Sequence, residues 1–205
     1  MMLKNIKLQV LLIASMLILN SCTKDDVEES HEHEINKVVL LFTNTADNSN
    51  FEVEWEKDHD DHSNDDHGHE GQIELKPNSE YVVEVKFYDT GEEDHDSHDH
   101  GSDDDDHEEE GELINPEIIE EADAHHVLFE LVDLNNLTID SASDDITDSN
   151  DFKLNLKTVW STTAASLGDV VLYLIHEPQV KVGTTRSEFD GDDDVQATFE
   201  VHIEE

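Results

Sequence analysis

From residue 51 onward, apolar and polar positions alternate in several separate stretches. Phe51, Val53 and Trp55 interleave with Glu52, Glu54 and Glu56, and Tyr81, Val83, Val85 and Phe87 share one side opposite Glu84 and Lys86. Successive side chains of a strand point to opposite faces, so this period of two predicts half-buried strands. Phe152, Leu154, Leu156 and Trp160 repeat the pattern with Lys153, Asn155 and Lys157 outside, and Val195, Ala197, Phe199, Val201 and Ile203 close the chain the same way. Val38–Phe42, Val127–Val132 and Val170–Ile175 are continuously apolar, as expected of strands covered on both faces or lying centrally in a sheet. With the weaker Gln72–Lys76, the pattern predicts strands at about 35–43, 51–56, 72–76, 81–89, 126–132, 152–160, 169–176 and 195–203. No long helical period competes. The expected fold is all-β, an immunoglobulin-like antiparallel β-sandwich of about seven or eight strands.

Two segments break this scaffold. Residues 57–70 carry four His among six acids, and residues 92–112 carry four His among thirteen acids. Neither has apolar surface to bury, so both read as disordered His/Asp-rich loops inserted into the sandwich. If consecutive strands run antiparallel, the two loops are separated by two full traversals and emerge at the same pole. The same counting sends His31, His33, His125, His126 and His202 to that pole and leaves His176 alone at the other.

The chain start belongs to a different class of segment. Lys4 and Lys7 precede an apolar stretch, Leu8–Leu19, of about a dozen residues, shorter than the roughly 20 a membrane-spanning helix needs. Residues 1–21 therefore read as a signal peptide. The stretch ends in Leu19-Asn20-Ser21-Cys22, and Cys22 is the only cysteine, which predicts lipidation at Cys22. Residues 22–34 become a lipidated Cys with an acidic tether, and 35–205 the sandwich domain. With its thiol acylated the chain has no disulfide and no thiolate chemistry.

Charge narrows the partners. There are 54 Asp plus Glu against 11 Lys plus Arg, a formal charge of −43. Such a surface repels phosphate backbones, so nucleic acid is excluded as a partner, and cations are favoured. Neutral imidazole combined with carboxylate suits Zn²⁺, and also Ni²⁺ or Cu²⁺, whereas Ca²⁺ has no use for imidazole. The candidate metal ligands in the two runs are His59, His62, His67, His69, His95, His98, His100 and His107, interleaved with Asp residues. Nearer the scaffold, Glu120, Glu121 and Asp123 lead into His125 and His126. Neighbouring residues of a strand face opposite ways, so only one of these two His can serve a given site, and a structural role at the sheet edge stays open for either. In His176-Glu177-Pro178 the proline reads as a strand terminator, and a ligand role for His176 is the weaker reading. Asp190–Asp194 reads as an acidic turn without the full spacing of a Ca²⁺ loop. No GxSxG, HExxH or phosphate-cradling Gly-rich loop is present, so the chain is not expected to be an enzyme.

The lipobox with Cys22, the strand Val38–Phe42, the acid run from Glu120 into His126 and Phe129, the strand ending His176-Glu177-Pro178 and the terminal Phe199-Glu200-Val201 resemble a group of small lipoproteins of Gram-negative bacteria. Members often carry a name invoking a type 1 periplasmic-binding fold, although strands without alternating helices point here to a sandwich. The family has no assigned activity to carry over. The His-rich runs also resemble the His/Asp-rich loops of bacterial zinc-uptake proteins. Together these imply a lipid-anchored protein of the outer membrane, on its surface or periplasmic face. Its expected role is to capture divalent transition-metal ions, zinc above all, for uptake or buffering, with a TonB-dependent receptor as a partner. The alternative is a surface interaction or adhesion module with acidic, calcium-binding loops.

Overall fold

The alternation becomes two packed sheets in the computed structural model, which describes residues 34–57, 71–91 and 111–204. Ten strands are present among the described residues. In order they are β1 (Lys37–Asn44), β2 (Asn50–Glu56), β3 (Gly71–Leu75), β4 (Glu80–Asp89), β5 (Glu112–Leu113), β6 (His125–Val132), β7 (Leu137–Ser141), β8 (Lys157–Thr162), β9 (Ser166–His176) and β10 (Asp192–Ile203). A short helix, α1 (Asn115–Glu120), precedes β6. One sheet has the order β2-β1-β4-β8-β7 with β5 on β4, and the other has the order β3-β10-β9-β6. The protein is a β-sandwich, as the period of two predicts.

In β4 and β10 the inward positions are those the alternation marks: Val83, Val85 and Phe87, and Ala197, Phe199 and Val201, are almost wholly buried, as are Val38, Leu40 and Phe42 of the continuously apolar β1. Trp160, fully buried on β8, ties the two layers together. Its ring meets Phe42 edge-on at 5.2 Å and Phe129 of the opposite sheet at 5.6 Å. Its indole N–H donates to Thr158 Oγ1 at 2.9 Å, so the burial leaves no orphaned donor.

The continuously apolar runs have different causes. β1 lies between β2 and β4, and β9 between β10 and β6, so both are central as expected. β6 is instead an edge strand. Its outward side is covered by Phe189, which packs with Leu128, Ile175 and Tyr173. A 3-10 turn, Arg186–Glu188, holds that cover in place. Arg186 donates its backbone N–H to Glu130 and its guanidinium to the carbonyls of Phe189 and Gly191.

The structure departs from the sequence expectation in four places. The predicted strand 152–160 begins only at Lys157, because side chains capture the backbone before it. Asp145 accepts the N–H groups of Asn155 and Lys157, and Asp148 those of Asn150 and Phe152. Asp151 and Asn155 adopt positive φ, and local bonding of this kind competes with a sheet ladder. The short strands β5 and β7 and the helix α1 have no counterpart among the predicted elements. The sheets are not wholly antiparallel, since β3 runs parallel to β10. Finally, His176 and His202 exchange ends, as described next.

Strand direction decides which residues share an end. β2 and β4 both run antiparallel to β1, and both end beside its first residue, with Lys37 opposite Glu56 on one side and Tyr88 on the other. Gly71 starts β3 so close to β2 that a Cβ there would lie 2.4 Å from the Glu54 carbonyl. A Cβ on Gly111 would likewise lie 2.7 Å from that of Asp89. The described residues flanking both His-rich runs therefore emerge at one end, as the parity argument expects. β6 and β10 run the same way as β3, so His125 and Asp192 begin their strands at this end and His176 finishes β9 there. His202 lies at the far end, opposite Glu74.

Candidate metal centre

Three side chains converge where β6, β9 and β10 meet. His125 pairs directly with His176 across the β6–β9 ladder. Directly opposed residues of an antiparallel pair share a face. This face is the inner one, because Val127 and Leu174, two positions on, are core residues. The rings stack with centroids 4.9 Å apart and planes 11° from parallel.

The third member, Asp194, arrives by an irregularity. The β10–β9 register pairs Asp193 with Ile175 and Val195 with Leu174, so Asp194 is the extra residue of a β-bulge. A bulge re-aims side chains at the end of a sheet. Here it lets Asp194 and the core residue Val195 turn to the same face, while Asp193 turns outward and pairs with Arg186. Asp194 Oδ2 lies 3.5 Å from His125 Nε2, and its Oδ1 lies 3.6 Å from His176 Nδ1. One ligand atom from each residue falls within 4.8 Å of the others. A tetrahedral Zn²⁺ with bonds of about 2.0–2.1 Å places its ligand atoms about 3.3 Å apart, and each Asp194 oxygen stands at about that spacing from one of the two rings.

The chain before β6 orients His125. Asn115 opens α1 by pairing its side-chain amide with β4 like a strand residue, accepting from the Phe87 N–H and donating to the Val85 carbonyl, both at 2.8 Å. Pro116 follows at the first turn, where no backbone donor is needed, and Ile118 packs into the core. The helix ends at Glu121, whose carbonyl lies 3.1 Å from His125 Nδ1. A carbonyl only accepts, so Nδ1 carries the proton, and it is Nε2, a lone pair in the neutral ring, that faces Asp194. Metal-binding histidines are commonly held by such an outer partner on the other ring nitrogen. Burial opposes charge on His125, but the Asp194 carboxylate and the Glu121 carbonyl outweigh it and raise the pKa.

The crossover from β9 to β10 is equally constrained. Glu177 has φ 52°, and its N–H donates to the Ala124 carbonyl at 2.6 Å. Gly191 has φ 94°, and a Cβ there would lie 2.2 Å from the His176 carbonyl. Only glycine fits this approach. The His125 side chain is 10% exposed, those of Asp194 and His176 29% and 44%. One wall of the group is thus buried and the other open to solvent.

His126, the neighbour of His125, faces the other way. It is buried, stacks on Phe189 at 5.4 Å, and takes no part in the group. Burial, helped by the nearby Lys181 charge, lowers its pKa to about 4. Strand counting from the sequence sends His176 to the opposite pole with a weak claim to be a ligand, and Asp190–Asp194 reads there as an acidic turn. The structure brings both to His125. His59, His62, His67, His69, His95, His98, His100, His107 and Cys22 lie outside the described residues. No protein-family model matches this chain, and no curated protein or solved structure does so either.

Proposed function

We propose that this protein is a lipid-anchored binder of divalent transition-metal ions, zinc foremost, acting in metal capture at the outer membrane rather than in catalysis. The observation that carries the reading is the convergence of His125, His176 and Asp194, with the His125 tautomer set by the Glu121 carbonyl. Two imidazoles and a carboxylate are the donor set of zinc sites, and suit Ni²⁺ and Cu²⁺ next. The described residues flanking the two His/Asp-rich runs lie at the same end of the sandwich as this group. A chain charge of −43 attracts cations to it. The runs are weak, exchangeable collectors in this reading, and the scaffold group is the tighter site, since the sheet already brings its three donors together. Lipidation at Cys22 holds the collector at the membrane, where a TonB-dependent receptor would take the ions onward.

Calorimetric titration with Zn²⁺, Ni²⁺, Cu²⁺ and Ca²⁺ at neutral pH, then Zn²⁺ at pH 5, tests the reading. Several Zn²⁺ sites that weaken at pH 5 and ignore Ca²⁺ are expected, because only neutral imidazole binds metal. Replacing the eight run histidines by Asn removes the weak sites and leaves one. Absence of Zn²⁺ heat in the unaltered chain would refute the proposal.

A further inference from the structure

The three-residue group offers a four-coordinate ion one ligand too few, and the strand register supplies a candidate for the fourth. Asp192 is the residue directly opposite His176 on β10, just as His125 is directly opposite it on β6. His125, His176 and Asp192 therefore form one row across three adjacent strands, on the face to which the bulge turns Asp194. Opposed Cβ atoms of such a pair lie about 4.5–5.5 Å apart, a span that a rotated carboxylate can close. The Asp192 side chain is exposed and makes no hydrogen bond or ion pair with another described residue, so it is free to turn. Of the neighbouring acids, Asp193 faces outward to Arg186, and Asp123 accepts the Ser149 N–H.

We infer that Asp192 is the fourth ligand and that the filled site is a closed set of two imidazoles and two carboxylates. This rests on the proposed metal binding at His125, His176 and Asp194. Charge balance favours the closed set: two neutral rings and two carboxylates around a divalent ion sum to zero, whereas the ion-free group leaves two like charges near a half-buried wall. Four-coordinate tetrahedral geometry suits Zn²⁺, which has no geometric preference of its own. Cu²⁺ and Ni²⁺ favour tetragonal arrangements, and Ca²⁺ needs six to eight oxygens. A closed site also leaves no coordination position for a reacting water, and fits binding rather than hydrolysis.

The test is Co²⁺ absorption on the full chain, read as a difference from the His125→Ala chain so that ions held by the His-rich runs cancel. The expected difference spectrum is the intense visible band set of tetrahedral Co²⁺, unmoved by added free imidazole. In Asp192→Asn the affinity falls at least about tenfold, since even outer partners of metal ligands cost that much, and the bands now shift with imidazole. Asp190→Asn, which removes the same charge from an exposed neighbour, leaves both readouts unchanged. Imidazole-sensitive bands in the unaltered chain, or an Asp192→Asn chain that binds and absorbs like it, would overturn the assignment while leaving metal binding intact. A blank difference spectrum would reject the metal centre itself, and the assignment with it.

Discussion

His125 and His176 are directly opposed residues whose rings stack 4.9 Å apart, and they belong to strands that begin and end at the same end of the sheet. The pair is separated by fifty positions of chain, yet its geometry follows from one hydrogen-bond register. A slip of one residue would turn either ring to the other face and dissolve the group. The register is held on both sides of the pair, by the buried Val127–Leu174 match and by the Glu177 N–H bonded to Ala124.

Zinc bound at this centre should raise the melting temperature, because its three donors meet only in the folded chain and stabilisation needs preference for the folded state. At a hundredfold excess over Kd the centre contributes about 2.7 kcal/mol, a rise of roughly 5–10 °C for a domain of this size. Differential scanning calorimetry should show this rise in the unaltered chain and lose it in His176→Ala, while Zn²⁺ binding to the runs persists.

Asp148 and Lys181 form a buried pair at 3.0 Å, with side chains only 2% and 6% exposed. Lys181 also donates to the Ala122 carbonyl, and Asp148 accepts the Asn150 and Phe152 N–H groups. Replacing Lys181 by Met strands a buried carboxylate and should cost about 3–5 kcal/mol in urea unfolding. A loss below about 1 kcal/mol would show that the pair is wet.

Asp148 also sets an acid limit. Burial opposes its ionisation, but the backbone donors and Lys181 outweigh that and hold its pKa below the usual carboxylate value. A depressed folded pKa means the stabilisation is complete above the unfolded value, about 3.9, and is lost as pH falls through the folded one. Stability of Asp148→Asn should therefore approach that of the unaltered chain as the pH drops below 4.

His126 acts at milder acidity. Its folded pKa of about 4 lies below the free value of 6.5, so the unfolded chain takes up the proton first. Stability attributable to this group is full above 6.5 and declines as pH falls from there to about 4, by about 3 kcal/mol in all. His126→Phe preserves the ring stack on Phe189 and should flatten that decline when metal-free protein is unfolded in urea at pH 7 and pH 4.5. His125, raised rather than lowered, contributes with the opposite sign, so the comparison is between the two chains at each pH.

Gly191→Ala tests the crossover. The added methyl meets the His176 carbonyl at 2.2 Å and the residue must keep φ 94°, a strain of order 1–3 kcal/mol. Because the clash pushes on His176 itself, Zn²⁺ affinity of the centre should fall along with stability. A variant that loses stability but keeps full affinity would separate the turn from the site.

The two-layer β architecture, the core faces of β4 and β10, and the common end of the residues flanking both His-rich runs are readable from the chain, because alternation is a local consequence of the strand period. The acidic charge and the imidazole content that point to cations were equally local. Of the two strands the pattern misses, β5 and β7, the second misdirects the rest. Leu137–Ser141 is five residues long and largely polar, and omitting it reverses the inferred direction of every later strand. That single reversal moved His176 away from His125 and brought His202 wrongly to the His-rich end.

Tertiary structure alone decided the centre. Whether His125 meets His176 depends on which strands pair and in what register, a property of packing between distant segments. Whether Asp194 rather than Asp193 turns inward depends on one bulge, which the acid-rich stretch Asp190–Asp194 does not announce because its aspartates are alike in composition. Local pattern sets which residues can lie on a face, but the meeting of three donors at one point is set by the sheet that joins them.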